Sequence, residues 1–359
     1  MIKSFKILYI SNRYNKNKKG GREKLSELNL NTLKSIYKKN FFFYILSRKK
    51  INTIKNIFLS LLGNIDGINK YEINKIKDII IKNKITHIFI DGSNLGKLSR
   101  TLKNNNLKII SYCHNVEAIF FWDKLKLNLS FRNFFIFIVN FLAEFQTVIF
   151  SDYLVFLNIR DKKNMFKFYK KNKSFVIPLS LKNNFKSYKN KLNKNNFILF
   201  IGGNFYANLD GVKWYLKEIL PHINIKTYFI GSNLFQEEFK NNPKVVFKGY
   251  VKNLNNWYKK SLFIISPIFY GSGMKTKIAE SLMHGKKILG TKESFIGYER
   301  FQNNIGKLCN NKKDFIKTIN NFSKKDFFYF DPKLREIYIN NFSGQSLKKN
   351  YIKLFKNIS

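Results

Sequence analysis

Residues 270–285 read Tyr-Gly-Ser-Gly-Met-Lys-Thr-Lys-Ile-Ala-Glu-Ser-Leu-Met-His-Gly, the sharpest chemical signal in the chain. Gly271 and Gly273 lack a Cβ, so the backbone there can approach a ligand closely. A helix starting near Met274 would aim its unpaired N–H groups and the positive end of its dipole at that loop. Such a site suits an anion, and a diphosphate in particular. Lys275 and Lys277 add point charges at the helix start. Glu280 lies about a turn and a half further on. A carboxylate there can accept two hydroxyl hydrogen bonds, as the ribose of a nucleotide offers. Ile278 and Leu282 face a core, and Gly285 fits the position just past a helix end. On spacing alone, an ordinary strand–turn–helix with surface lysines gives the same pattern.

The elements that must hold this loop follow a repeated grammar. In the first half, 6–10 reads as a strand, followed by a polar loop with Gly20-Gly21 and an amphipathic stretch through Leu25, Leu28 and Leu33. Further strands are expected at 41–46, at 86–90 closing on Asp91-Gly92, and at 107–113 closing on His114-Asn115-Val116-Glu117. A long helix over 131–150 precedes strands at 153–157 and 175–177, the last stopped by Pro178. The Lys/Asn-rich stretch 181–196 has little apolar periodicity and reads as a linker. The second half restarts with a strand at 197–201 ending in Gly202-Gly203, then a helix over 210–220. Strands at 227–230, 245–248 and 262–266 follow, with a helix opening at 254–258 and a last strand at 287–290.

Alternating strands and helices predict parallel sheets with crossover helices, an α/β class with two Rossmann-like domains in tandem. Ligands of such sheets bind at the carboxyl ends of the strands, where most of these motifs sit. The expected division is 1–182 for an N-terminal domain and 183–343 for a C-terminal domain. The segment 344–359, with Leu347, Tyr351, Ile352, Leu354 and Phe355 at helical spacing, reads as a final helix that either crosses back to the first domain or caps the second.

Composition bounds the alternatives. The chain has 359 residues, enough for about two domains. Lys and Arg number 66 against 22 Asp and Glu, a net charge of +44. That excess invites a nucleic-acid or anionic-membrane reading. Yet Lys, Asn, Ile and Phe, which have A/T-rich codons, are abundant, while Pro stands at 5 and Gly at 18. Codon bias would scatter lysines over the surface without selection for binding, and they are indeed dispersed. No helix-turn-helix spacing, zinc finger or RNP aromatic motif supports a nucleic-acid partner. Two cysteines exclude a disulfide scaffold and a four-thiolate zinc site. No apolar run reaches the roughly 18 residues that a membrane span needs. The most apolar stretch, 134–142, reads as a core helix or as an interfacial membrane contact. The apolar run 5–10 is too short for a signal peptide, so a cytoplasmic location is expected, peripheral to the inner face of the membrane if the basic surface attracts it.

The run Gly271-Ser272-Gly273-Met274-Lys275-Thr276-Lys277-Ile278-Ala279-Glu280-Ser281-Leu282 with Gly285 resembles the nucleotide-sugar signature of glycosyltransferase family 4. Phe200-Ile201-Gly202-Gly203 with Asn208, Gly211, Trp214, Glu218, Leu220 and Pro221 resembles that family's first nucleotide-domain strand and helix. Gly249-Tyr250-Val251 and Pro267 agree in order, and His114-Asn115-Val116-Glu117, Glu144, Ser151-Asp152 and Asp161 resemble the acceptor domain of polysaccharide-type sugar transferases. The resemblance spans about 5–300. It implies the GT-B fold, two Rossmann-like doubly wound domains facing a central cleft, and transfer of a sugar with retention. The donor would be a nucleotide-diphosphate sugar and the acceptor a saccharide or lipid-linked saccharide, in the synthesis of cell-surface polysaccharide or glycoconjugate. No metal or other cofactor is implied.

On this resemblance Gly202, Gly203, Gly271, Ser272, Gly273, Met274, Lys275, Lys277 and Glu280 bind the donor. Glu280 matches the second glutamate of the family's Glu-x7-Glu, assigned to the ribose, and Ser272 stands where the first is usual. Gly203 and Asn204 stand where an arginine is often found, and Lys213 is a substitute for it. Lys275, Lys277, the Gly271–Gly273 backbone and the helix dipole would stabilise the departing diphosphate, the kind of electrostatic effect that usually dominates catalysis. His114 is placed near the sugar. Glu117 either orients His114 or caps the following helix. Gly20 and Gly21 with Asn115 and Glu117 are cleft or acceptor candidates, Gly20-Gly21 being equally a plain flexible loop. Cys113 reads as a buried strand residue and Asp91-Gly92 as a strand-end turn. The rivals are a non-catalytic basic protein binding nucleic acid or membrane, and a GT-B sugar-nucleotide epimerase that acts on the donor alone.

Overall fold

The computed structural model describes residues 5–12, 20–47, 54–65, 68–171, 173–186, 197–322 and 330–358. The chain divides into two compact units, Met1–Leu179 with Gly344–Ser359, and Ser180–Ser343.

The first unit runs β1 (Ile7–Ser11), α1 (Gly21–Tyr37), β2 (Phe41–Ile45), α2 (Ile54–Leu61), α3 (Lys70–Asn83), β3 (His87–Asp91), α4 (Gly96–Leu102), β4 (Lys108–Cys113), α5 (Glu117–Leu127), α6 (Phe131–Phe150), β5 (Tyr153–Phe156), α7 (Ile159–Tyr169) and β6 (Ser174–Val176). Its six strands are parallel in the order β2-β1-β3-β4-β5-β6. β1 and β3 are buried along their whole length, so both read as continuous apolar runs rather than alternating ones. The chain leaves β1 toward β2, then returns to β1's other side with β3. Ligands of open parallel sheets settle beside such a reversal, and Asp91 ends β3 there. Helices start where short polar side chains can accept the first free N–H groups: Asn69 from Glu72, Ser130 from Asn133 and Asn158 from Asp161.

The second unit runs β7 (Phe197–Ile201), α8 (Tyr206–Glu218), β8 (Lys226–Ile230), β9 (Val245–Phe247), α9 (Asn255–Lys260), β10 (Ile264–Ser266), α10 (Thr276–Met283), β11 (Ile288–Gly290), α11 (Gln302–Ile305), β12 (Gly306–Leu308), α12 (Lys312–Asn320) and α13 (Pro332–Phe342). Its parallel sheet has the order β12-β11-β10-β7-β8-β9, with the reversal between β7 and β10. The loop 267–275 leaves β10 at that reversal, beside Gly202-Gly203.

The last helix, α14 (Gly344–Asn357), belongs to the first unit. The Tyr351 hydroxyl donates to Asn29 Oδ1 of α1 at 2.7 Å, and the Phe355 ring meets Tyr37 edge-on at 5.2 Å. Of the expected linker 181–196, residues 187–196 lie outside the described residues. Leu181 is fixed to the second unit: its N–H donates to Phe342 O and its carbonyl accepts from the Tyr338 hydroxyl.

Two expectations change. The signature helix opens at Thr276, not near Met274, with Lys275 as its cap residue. By length and composition α6 is long enough and apolar enough to cross a membrane, although no uninterrupted apolar run signals it. Its buried residues include Asn133, Asn140, Glu144 and Thr147. That polar face is built into the unit, and a Cβ on Gly96 of α4 would lie 2.2 Å from Ala143 O.

Candidate active site

The end of β7 and the loop before α10 meet through side chains contributed by α8 and α10. The Lys277 ammonium donates to Asn208 Oδ1 at 3.0 Å and lies 4.0 Å from the centre of the Phe200 ring. Asn208 in turn donates to Gly203 O at 3.1 Å. Lys277 is buried, and desolvation, then the nearby Lys275, pushes its ammonium down to about 7, with Glu280 opposing. The basic group absent from positions 203–204 is therefore delivered to the same strand end by α10. A Cβ on Gly203 would meet nothing within 4 Å, whereas one on Gly231 would fall 1.4 Å from Gly202 O. Gly231 thus lets β8 close against the Gly202 turn, while Gly203 borders open space.

The loop is held from several sides. Gly271 and Gly273 have φ of +125° and +69°, conformations that favour glycine. The Tyr270 hydroxyl bonds Asp210 of α8, and the Tyr206 and Tyr270 rings stack at 5.7 Å. Tyr298 donates to Lys275 O at 3.0 Å. Met274 is buried, and its side chain packs over Gly297. Lys275 is not a free point charge. Its ammonium pairs with Glu293 at 2.8 Å and lies 3.3 Å from Ser272 O, bracing the loop. The Ser272 hydroxyl is buried without a hydrogen-bond partner, an uncompensated polar atom on the glycine loop. Glu280 is 8% exposed, one Oε accepting from the Tyr258 hydroxyl at 3.1 Å.

In the first unit His114 follows β4 and is buried. Its Nε2 meets Asp91 Oδ1 at 2.5 Å, while the Tyr9 hydroxyl bonds the other Asp91 oxygen. Burial would raise the Asp91 pKa, but the charge of His114 and the bonds from His114 and Tyr9 hold it below its usual value. His114 Nε2 donates to this carboxylate, and its Nδ1 is buried without a hydrogen-bond partner. Asp91, read from sequence as a turn residue, is therefore the group that orients His114. The signal for it was its place at the end of a strand beside the sheet's reversal.

Glu117 does neither of the jobs expected of it. It pairs with Arg22 of α1 at 2.7 Å. The cap of α5 is Glu144, whose carboxylate accepts the Glu117 and Ala118 N–H groups at 2.7 and 3.0 Å. Burial, then the adjacent Glu117, pushes Glu144 up to about 8. Gly20 and Gly21 open α1, Gly20 as its cap residue. The structure gives Asn115 one contact, its carbonyl accepting from Ser93 at 3.4 Å. Cys113 is a buried strand residue.

Residues 195–324 match the family model described as Glycosyl transferases group 1. This segment is similar to a group 1 glycosyltransferase domain. It holds every donor-site candidate named above, from Gly202 to Glu280. A sequence search of curated proteins finds no significant match. Among solved structures, the chain is similar to sucrose-phosphate synthase from Thermosynechococcus elongatus, with a TM-score of 0.72 at 11% identity over 98% of each chain. It is similar to Anabaena HepE, solved in complex with UDP and glucose, with a TM-score of 0.65 at 11% identity over 98% of this chain and 100% of that one. A glycosyltransferase from Rickettsia africae gives 0.62 at 16% identity, over 99% and 98% of the two chains. The two units thus have the GT-B fold, as expected.

Proposed function

We propose that this protein is a retaining glycosyltransferase that moves a sugar from a nucleotide-diphosphate donor to a saccharide or lipid-linked acceptor, working at the inner face of the cytoplasmic membrane. The observation that carries the reading is the convergence at the β7–β10 reversal. The open backbone at Gly203, the glycine loop with its orphaned Ser272 hydroxyl, and the N-terminus of α10 with Lys277 all gather there. The diphosphate lies against the α10 N–H groups and Lys277. Glu280 holds the ribose hydroxyls, exchanging or sharing its bond from Tyr258. Charge developing on the leaving group is stabilised by fixed dipoles that need no reorganisation. His114, oriented by Asp91, is the first unit's candidate for acting on the sugar. That HepE was solved with UDP and with UDP-glucose supports a nucleotide-sugar donor here.

The test is calorimetric titration with UDP, GDP and ADP at moderate salt, which screens adsorption to dispersed lysines. Saturable binding of one nucleotide, weakened by Glu280→Ala, is expected. Binding indifferent to Glu280 and abolished by salt would sink the reading. Donor turnover with and without acceptor separates transfer from epimerisation, and the anomeric configuration of the product decides retention.

A further inference from the structure

We infer that the face of the first unit formed by α5, α6 and α7 docks onto an anionic lipid bilayer. Along α6, Phe134, Ile138, Phe141, Phe145 and Ile149 recur every three or four residues, opposite the buried face. None of the five is buried, and the stripe from Phe131 to Ile149 is ~27 Å long. At its start Leu129 is 82% and Phe131 86% exposed. Ring contacts continue the surface sideways, from Trp122 of α5 to Phe137 and through Phe141 and Phe145 to Tyr169 of α7, with Phe141 and Tyr169 partly buried against the core. A contiguous apolar surface of this extent marks a contact with something.

Charge says with what. From Glu117 to Lys170 every fully exposed charged residue is a cation: Lys126, Arg132, Lys163, Lys167 and Lys170. The acids in this span are buried or half-buried, Glu144 capping α5 and Asp152 paired with Lys103. Apolar rings bordered by exposed cations match the two layers of an anionic membrane surface, acyl chains beneath phosphate headgroups. The helix lies along the interface rather than crossing it, because on its other face Glu144 accepts from the Glu117 and Ala118 N–H groups of α5 and Ala143 is packed against Gly96 of α4. The site does not depend on the donor reading, although it would bring a lipid-linked acceptor to the enzyme.

The test mixes the full-length protein with vesicles of phosphatidylcholine alone and of phosphatidylcholine with phosphatidylglycerol, and measures the bound fraction by flotation. Binding to the anionic vesicles is expected, reduced but not abolished by salt. Leu129→Asp with Phe131→Asp cuts partitioning about tenfold or more. Unfolding temperature and UDP affinity stay as in the wild type, since both side chains already face solvent. Replacing Lys126, Arg132 and Lys167 by alanine costs about fivefold per cation. Phe235→Asp, at an exposed apolar residue of the second unit, leaves binding unchanged. Wild-type adsorption that the Leu129/Phe131 variant retains in full would overturn the proposal. So would failure to bind vesicles, with a wild-type dimer that the same variant converts to monomer, because the face would then belong to a second copy of the chain.

Discussion

Lys277 makes nucleotide binding a proton-linked event. In the free protein its ammonium is buried between the Phe200 ring and Asn208 and held down to about 7, against 10.5 for an ordinary lysine. A diphosphate oxygen at the same ammonium favours the charged form. Above about pH 7, therefore, each nucleotide that binds should take up close to one proton. UDP affinity should fall about tenfold per pH unit, ~1.4 kcal/mol each, until the pKa of the complex is reached. The ceiling, set by a full return to 10.5, is about 5 kcal/mol. A phosphate's own second ionisation, near ~6, is complete below this window and does not contribute. Stability of the free protein should move the other way. Between about 7 and 10.5 the unfolded chain holds a proton that folded Lys277 has lost, so stability rises with pH. The assay is calorimetry of UDP binding in buffers of different ionisation enthalpy, with Lys277→Met as the comparison. Lys286 is also pushed to about 7, but it donates to the carbonyls of Lys259 and Ser261 and is not expected to respond to nucleotide. No proton uptake above pH 7, or uptake unchanged in Lys277→Met, would refute the reasoning.

Glu280→Ala should weaken UDP binding by about 2–3 kcal/mol, the scale of charge-assisted hydrogen bonds, while Tyr258→Phe should cost only about 1. Equal losses in the two titrations would make the carboxylate a structural partner of Tyr258. Asp91→Asn should lower sugar-transfer turnover while leaving UDP affinity unchanged, because it releases His114 in the other unit. A wild-type rate would remove His114's orientation from the mechanism. Gly231→Ala should lower the free energy of unfolding by about 1–3 kcal/mol or more and weaken UDP binding together, since its Cβ would displace the Gly202 carbonyl. An unchanged melting curve would mean that the strand ends tolerate separation.

The sequence by itself determined the alternation of elements and the donor signature. Runs such as Ile7–Ser11 and His87–Asp91 are buried on both faces, so they announce central parallel strands without any partner in view. The signature was legible because its glycines, lysines and glutamate lie on one loop and the first turns of one helix. Weakly periodic pieces were not legible: α7 buries only Asp161 and Met165, and β12 has three residues. Tertiary structure alone decided which charge meets which. Lys275 finds Glu293 18 positions on, Asp91 finds His114 23 positions on, and Lys277 finds Asn208 69 positions back. Such pairings, and the pKa displacements that follow from burial, are set by how sheets and helices stack. The same holds for α6, which carries a polar face and an apolar one. Only packing against α4 and α5 separates the face that serves the core from the face left to solvent.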